Sequence, residues 1–228
     1  MTSTQTVLIT GASSGLGFAL AQKYIEKGAE VYGIGAHEDK MNTAAATLNS
    51  PRFHPITCDI SDPVQVAKAV ESIPSVDILV NNAGKICRKP LVDISDEIIR
   101  DLVDANLLGH LYVTKYVLPK LYKSSDAHIV NISSTAGLLA RKNHVLYAAT
   151  KFGIRGMGEA LVDELIGTNI HVMNVYPGGF ISELYKKADD PQVMDGFMNP
   201  SDVANQIMFA LSAPKSMRVE QMVLNRKK

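Results

Sequence analysis

The stretch Thr6-Val-Leu-Ile-Thr-Gly-Ala-Ser-Ser-Gly-Leu-Gly17 decides the fold. Thr6–Ile9 is a short apolar run without polar alternation, the pattern of a strand covered on both faces. Thr10-Gly11-Ala12-Ser13-Ser14-Gly15-Leu16-Gly17 then turns the chain into a helix. Leu16, Ala19, Leu20 and Tyr24 make one face of it, while Lys23, Glu26 and Lys27 point elsewhere. Small residues let such a turn tighten and bring backbone N–H groups against a pyrophosphate at the positive helix end. Glycine also serves a tight strand-to-helix turn for steric reasons alone. The spacing here is GxxxGxG rather than the GxGxxG dinucleotide fingerprint. Its place, first strand into first helix, is what gives the turn weight.

Outward from this turn, β-type runs alternate with amphipathic stretches to the end of the chain. Further strands are expected at Glu30–Ile34, Phe53–Thr57, Val76–Asn81, His128–Ile132, Ile170–Val175 and Arg218–Leu224. Asp62-Pro63-Val64-Gln65 reads as an N-cap, a first-turn proline and a capping-box partner. Repeated β-α-β units with right-handed crossovers build a parallel sheet. The expected class is α/β: a Rossmann-type, doubly wound, seven-stranded parallel sheet with helices on both faces. No linker or repeat divides the chain, so residues 1–228 form one domain. Residues 178–200, rich in Gly, Asp, Pro and Met, read as a substrate-binding loop or lid; a mobile surface excursion is the alternative.

Composition narrows the function. The 228 residues carry 23 basic against 23 acidic side chains, so no cationic surplus is available for general nucleic-acid binding. No stretch approaches the ~18 apolar residues of a membrane span. The start MTSTQTVLITG lacks the basic opening of a signal peptide, and Cys58 and Cys87 are too few for a disulfide scaffold. The expectation is a cytoplasmic protein. His37, His54, His110, His128, His144 and His171 show no metal-ligand spacing, so no metal is expected.

Tyr147-Ala-Ala-Thr-Lys151 is the second informative segment. On a helix, residues four apart share a face with Cβ atoms ~5–6 Å apart. A tyrosine acting near neutrality needs its pKa lowered by ~3 units, or ~4 kcal/mol. A lysine ammonium ~4 Å away at an effective dielectric of ~20 supplies that much. The pair is thus a candidate acid/base unit, against the plain reading of surface neighbours. Ser134, at the end of a predicted strand, lies where open α/β sheets bind ligands; it also reads as a turn cap.

With these residues in hand, nearly the whole chain resembles the compact, non-extended branch of the short-chain dehydrogenases/reductases. The matching segments are ThrGlyAlaSerSerGlyLeuGly at 10–17, CysAspIle at 58–60, AsnAsnAlaGly at 81–84 and Asn106. AsnIleSerSer at 131–134, TyrAlaAlaThrLys at 147–151 and Pro177-Gly178 follow in family order.

The resemblance implies a tetrad of Asn106, Ser134, Tyr147 and Lys151. Tyr147 is its general acid/base and Ser134 orients the substrate oxygen. Lys151 binds the nicotinamide ribose and lowers the tyrosine pKa, and Asn106 holds a relay water. It places the cofactor on Gly11, Ser13, Ser14, Gly15, Leu16 and Gly17, with Asp59 and Ile60 at the adenine. Asn82, Ala83 and Gly84 line it, as do Pro177 and Gly178, with Ile181 and Ser182 at the carboxamide. Asn81 reads as a tie between strands. The implied activity is interconversion of a small alcohol and carbonyl by hydride transfer. A catalytically silent dinucleotide sensor is the alternative.

NADP(H) is favoured over NAD(H), which remains possible. Gly35 stands where an NAD enzyme wants a carboxylate, Glu38 and Asp39 come too late, and Ser13, Ser14, His37 and Lys40 could hold a phosphate. Leu138, Leu139 and Arg141 are expected to shape a pocket wall; His144 reads as within reach of the substrate or as a solvated loop residue, and Cys87 as near the active site with no sign of an activated thiol. Phe180, Leu184, Tyr185, Met194, Phe197 and Met198 point to a partly apolar substrate, and no basic cluster asks for a phosphate. One long helix over Ser95–Tyr122, apolar nearly all round, predicts a homodimer or homotetramer, joined there and through 147–166.

Overall fold

The computed structural model describes residues 4–183, 194–214 and 216–227. Strands β1 (Thr6–Thr10), β2 (Glu30–Gly35), β3 (Phe53–Thr57), β4 (Ile78–Asn81), β5 (Ala127–Ile132), β6 (Ile170–Pro177) and β7 (Gln221–Leu224) form one sheet. Its order is β3-β2-β1-β4-β5-β6-β7, and every neighbouring pair is parallel. The expected seven-stranded Rossmann-type sheet is therefore present. The strand order reverses between β1 and β4, which opens a crevice at their carboxyl ends.

Alternate strand residues enter two cores. Val7, Ile9, Ile78, Val80, Val130 and Val175 face one side, and Leu8, Leu79, Ile129 and Val172 the other. The first layer packs on α1 (Gly15–Glu26), α2 (Glu38–Leu48) and α7 (Pro200–Leu211) through Leu16, Leu20, Met41, Val203 and Ile207. The second packs on α3 (Pro63–Glu71), α5 (Gly109–Leu121) and α6 (Val145–Glu164) through Val66, Val70, Val113, Val117 and Leu161. Both faces of each central strand are covered, which is why their sequences are apolar without alternation.

Asp62 caps α3, its carboxylate accepting from the N–H groups of Val64 and Gln65. Gln65 departs from a capping box: its amide donates to the Asp62 side chain and accepts from the Asp59 N–H. The strands differ from expectation only at their ends. β4 begins at Ile78 and β7 at Gln221, later than expected, while β1, β2 and β6 run on to Thr10, Gly35 and Pro177.

The single helix expected over Ser95–Tyr122 is broken. It is α4 (Asp96–Val103), a π-helical turn at Asp104–Leu108, and then α5. The turn forms where the Asn106 side chain is drawn out of the helix to the backbone of Lys85. Such turns concentrate at functional sites.

Candidate active site

The turn after β1 is built for close approach. Gly11 and Gly15 hold φ of +68° and +55°, which favours glycine. A Cβ on Gly17 would lie 2.2 Å from the Gly11 carbonyl oxygen, so the helix packs directly on the turn. Ser14 begins α1 without a side-chain cap, and no acidic residue occupies its first turn. The positive end of the helix is thereby left for an anion.

A second loop closes on this turn through Thr10. Its hydroxyl accepts from the N–H groups of Asn82 (2.9 Å) and Ala83 (3.0 Å). The Asn82 amide donates to the carbonyls of Thr10 (2.9 Å) and Gly11 (3.3 Å). Asn82 therefore braces the turn with its side chain. Across β4, β5 and β6, Asn81 donates to Asn131 and Asn131 to Asn174, all buried. That ladder is the strand tie expected of Asn81.

A cavity of about 710 Å³ runs along the carboxyl ends of the strands. Its floor comes from Gly11, Ser13, Ser14, Gly15 and Leu16 at the first turn, and from Asn82, Ala83 and Gly84. Asp59 and Ile60 border it beside β3, and Pro177, Gly178 and Ser182 beside β6. At the end of β2 it is lined by Gly35, Ala36, His37, Lys40 and Thr43 and by no carboxylate among the described residues. Ser134, Tyr147 and Lys151 line its other end.

Three expected residues lie elsewhere. Gly17 serves helix packing, as its contact with Gly11 shows, and Ile181 is 45% exposed outside the cavity wall. Asn106 is fully buried. Its amide donates to the Lys85 carbonyl and the Thr150 hydroxyl, and its Oδ1 accepts from the Lys85 N–H at 2.6 Å. The side chain expected to hold a relay water is thus committed to holding the Lys85 backbone.

The chemistry concentrates on α6 and the end of β5. Lys151 is 4% exposed, and its ammonium donates to the Ile132 carbonyl at 3.1 Å. It lies 5.8 Å from the centre of the Tyr147 ring. Burial lowers its pKa to about 8. The Ser134 hydroxyl accepts from the Ala136 N–H at 3.1 Å, which keeps its own proton available to an acceptor. Gly84 leaves the floor open: a Cβ there would lie 3.1 Å from Asn106 Oδ1 and 3.7 Å from Lys151 Nζ. His110 is fully buried, its Nε2 2.7 Å from the Ala83 carbonyl oxygen. Burial, reinforced by the Lys151 charge, pushes its pKa down to about 3, so it is neutral and donates to that carbonyl.

The expected apolar lid is only partly seen. Phe180 lines the cavity. Met198 pairs with Phe180 in a bridge and packs on the core, and Phe197 lies under Arg226, 5.0 Å from its ring centre. Met194 accepts from the Phe197 N–H in a turn, and Leu184 and Tyr185 lie outside the described residues. Leu138, Leu139 and Arg141 do not line the cavity, and Leu139 is 62% exposed. Cys87 shares an apolar cluster with Leu146 and Tyr147, and His144 sets its ring 6.2 Å from that of Tyr147. Thr10, Thr43, Lys85 and Arg88 were not expected. A polar residue closing an apolar strand was the one available signal for Thr10; the others are brought in by tertiary packing.

The sequence model of the short chain dehydrogenase family matches residues 5–192. An uncharacterized oxidoreductase from Staphylococcus haemolyticus is 31% identical over 95% of both chains. Among solved structures, the closed form of serine dehydrogenase complexed with NADP+ superposes with a TM-score of 0.90 at 26% identity, covering 96% of this chain and 94% of that one. A variant actinorhodin polyketide ketoreductase with NADPH gives 0.88 at 27%, covering 97% and 95%.

Proposed function

The chain belongs to the short chain dehydrogenase family, and on that premise we propose that it interconverts an alcohol and a carbonyl with NADP(H), Tyr147 being the general acid/base. The observation that carries this reading is the convergence of Ser134, Tyr147 and Lys151 on one end of a cavity whose other end is an uncapped helix N-terminus.

The residues fit a dinucleotide. Gly11, Ser13, Ser14, Gly15 and Leu16 offer a glycine cradle with backbone donors, and Gly84 opens the floor beside Lys151. When bound, the nicotinamide supplies or accepts the hydride. Lys151 spends one donor on Ile132 and turns the rest toward the cavity, where ribose hydroxyls accept. Its ammonium lies beside the Tyr147 ring, and the tyrosine gives or takes a proton at its oxygen. Ser134 accepts from Ala136 and donates to the same substrate oxygen. With the Asn106 side chain engaged, that residue positions the Lys85 loop, and any proton relay there uses main-chain groups of the π-helical turn.

Preference for NADP(H) is supported by the serine dehydrogenase and ketoreductase structures, solved with NADP+ and NADPH. It is supported too by the wall of Ser13, His37, Lys40 and Thr43, where no carboxylate repels a phosphate. The 178–200 segment is proposed as the substrate-binding loop. Leu111, Val145 and Phe152, 42%, 52% and 40% exposed on α5 and α6, support a homodimer or homotetramer. The buried free thiols of Cys58 and Cys87 support a reducing, cytoplasmic setting.

The test is consumption of NADPH and of NADH against a panel of aldehydes, ketones, diketones and oxo acids. Turnover with higher kcat/KM for NADPH is expected. Tight NADPH binding with no turnover of any carbonyl would make the protein a sensor instead.

A further inference from the structure

Beside Tyr147 the fold gathers positive charge that nothing described in the chain neutralises. Arg88 follows Cys87, which shares an apolar cluster with Leu146 and Tyr147. Arg141 opens the turn that ends at His144, its carbonyl accepting from the His144 N–H at 3.1 Å. The His144 ring in turn sits 6.2 Å from the Tyr147 ring. Arg88 and Arg141 are the two charges that act on the His144 ring, and Arg141 is exposed outside the cavity wall.

Two polar atoms in this cluster, Arg88 Nε and His144 Nδ1, are buried without a hydrogen-bond partner. Neither arginine makes a side-chain hydrogen bond or ion pair among the described residues. The neighbouring cation Lys85 is different, being engaged with Asp101. His144 begins α6 without a side-chain cap, and no acidic residue lies in the first helical turn. Burial, reinforced by the charges of Arg88 and Arg141, holds the His144 pKa below the usual histidine value. A buried guanidinium N–H without an acceptor is costly in any fold. An oxyanion supplies the acceptor, and a guanidinium fork matches it geometrically.

We propose that Arg88 and His144, with the exposed Arg141 at the rim, form an oxyanion-recognition site beside Tyr147, and that the substrate is a carbonyl compound, or its alcohol, bearing a carboxylate or phosphate. This rests on the alcohol–carbonyl reading above and narrows its substrate class. It also reverses the expectation that no basic cluster awaits an anion: the cations come from separate loops and are joined only in the fold.

Matched pairs test it: acetoacetate with methyl acetoacetate, succinic semialdehyde with its methyl ester, and dihydroxyacetone phosphate with dihydroxyacetone, each with NADPH. In at least one pair the anion should have at least tenfold higher kcat/KM, and the carboxylate and phosphate arms identify the group. Arg88→Gln should bring that ratio down tenfold or more, mainly through KM, with the NADPH Kd reporting an intact fold. Neutral partners reduced as well as or better than anions in every pair would overturn the oxyanion site while leaving the reductase reading standing. If no carbonyl is reduced, the reductase reading fails, and binding decides the site separately. 3-Hydroxybutyrate, but not its methyl ester, should then raise the melting temperature of the NADP+ complex, and Arg88→Gln should remove the effect. Equal effects of acid and ester would refute it.

Discussion

Replacing Lys151 by methionine should make the cofactor-free protein more stable at neutral pH. The ammonium is buried at 4% exposure, and its pKa falls from 10.5 to about 8 through desolvation alone. That displacement corresponds to ~3 kcal/mol held against the charged form in the fold. Methionine removes the charge at similar length and forfeits the charge-assisted bond from Nζ to the Ile132 carbonyl, worth ~2 kcal/mol. The variant should gain ~1 kcal/mol at pH 7, or roughly 2–4 °C in Tm for a domain of this size.

The pH dependence fixes the sign. Below pH 8 the lysine is charged in both folded and unfolded chains, and the whole penalty falls on the wild type. Between about 8 and 10.5 the folded state gives up its proton first, so wild-type stability rises with pH. Thermal unfolding without cofactor from pH 7 to 10 should show the gap between variant and wild type closing. A wild type at least as stable at pH 7, or a gap unchanged across that range, would refute the reasoning.

Three further outcomes are expected. Thr10→Val leaves the Asn82 and Ala83 N–H groups without their acceptor, so chemical denaturation should show a loss of ~1–3 kcal/mol and NADPH titration a weaker Kd; Thr10→Ser should restore both. Gly158→Ala sets a Cβ 1.8 Å from Asn174 Oδ1, inside the asparagine ladder, and should cost ~2 kcal/mol or more by urea unfolding; a loss within ~0.5 kcal/mol would mean that the ladder yields easily. Lys40→Ala should weaken NADPH several-fold, on the order of 1 kcal/mol, and NADH much less in parallel titrations; equal weakening would remove Lys40 from phosphate recognition.

The sheet was legible because local pattern and burial agree: Val7, Leu8 and Ile9 are apolar in succession since both faces are covered. The glycine turn and Tyr147–Lys151 were legible because each is a local spacing on one element. The break at Asp104 was not. No proline lies in it and Gly109 only borders it, while Asn106 reaches from within the turn to the Lys85 backbone across the fold. Gly17 and Gly11 look alike in sequence, yet one packs a helix and the other floors the cavity. Arg88 and His144 carried no signal toward each other, since they stand in separate loops that meet in the fold, where Cys87, Leu146 and Tyr147 share one apolar cluster. Periodicity reports faces of single elements, and sites assembled from loops lie outside its reach.

The role of Tyr147 is tested most directly by Tyr147→Phe, assayed by NADPH consumption on a substrate the wild type reduces, with the NADPH Kd and Tm measured on the same sample. Removal of the one transferable proton should lower kcat by ~10²–10⁴-fold, with Kd and Tm close to wild type. A variant that keeps more than about a tenth of the wild-type rate would contradict the assignment of Tyr147 as the acid/base.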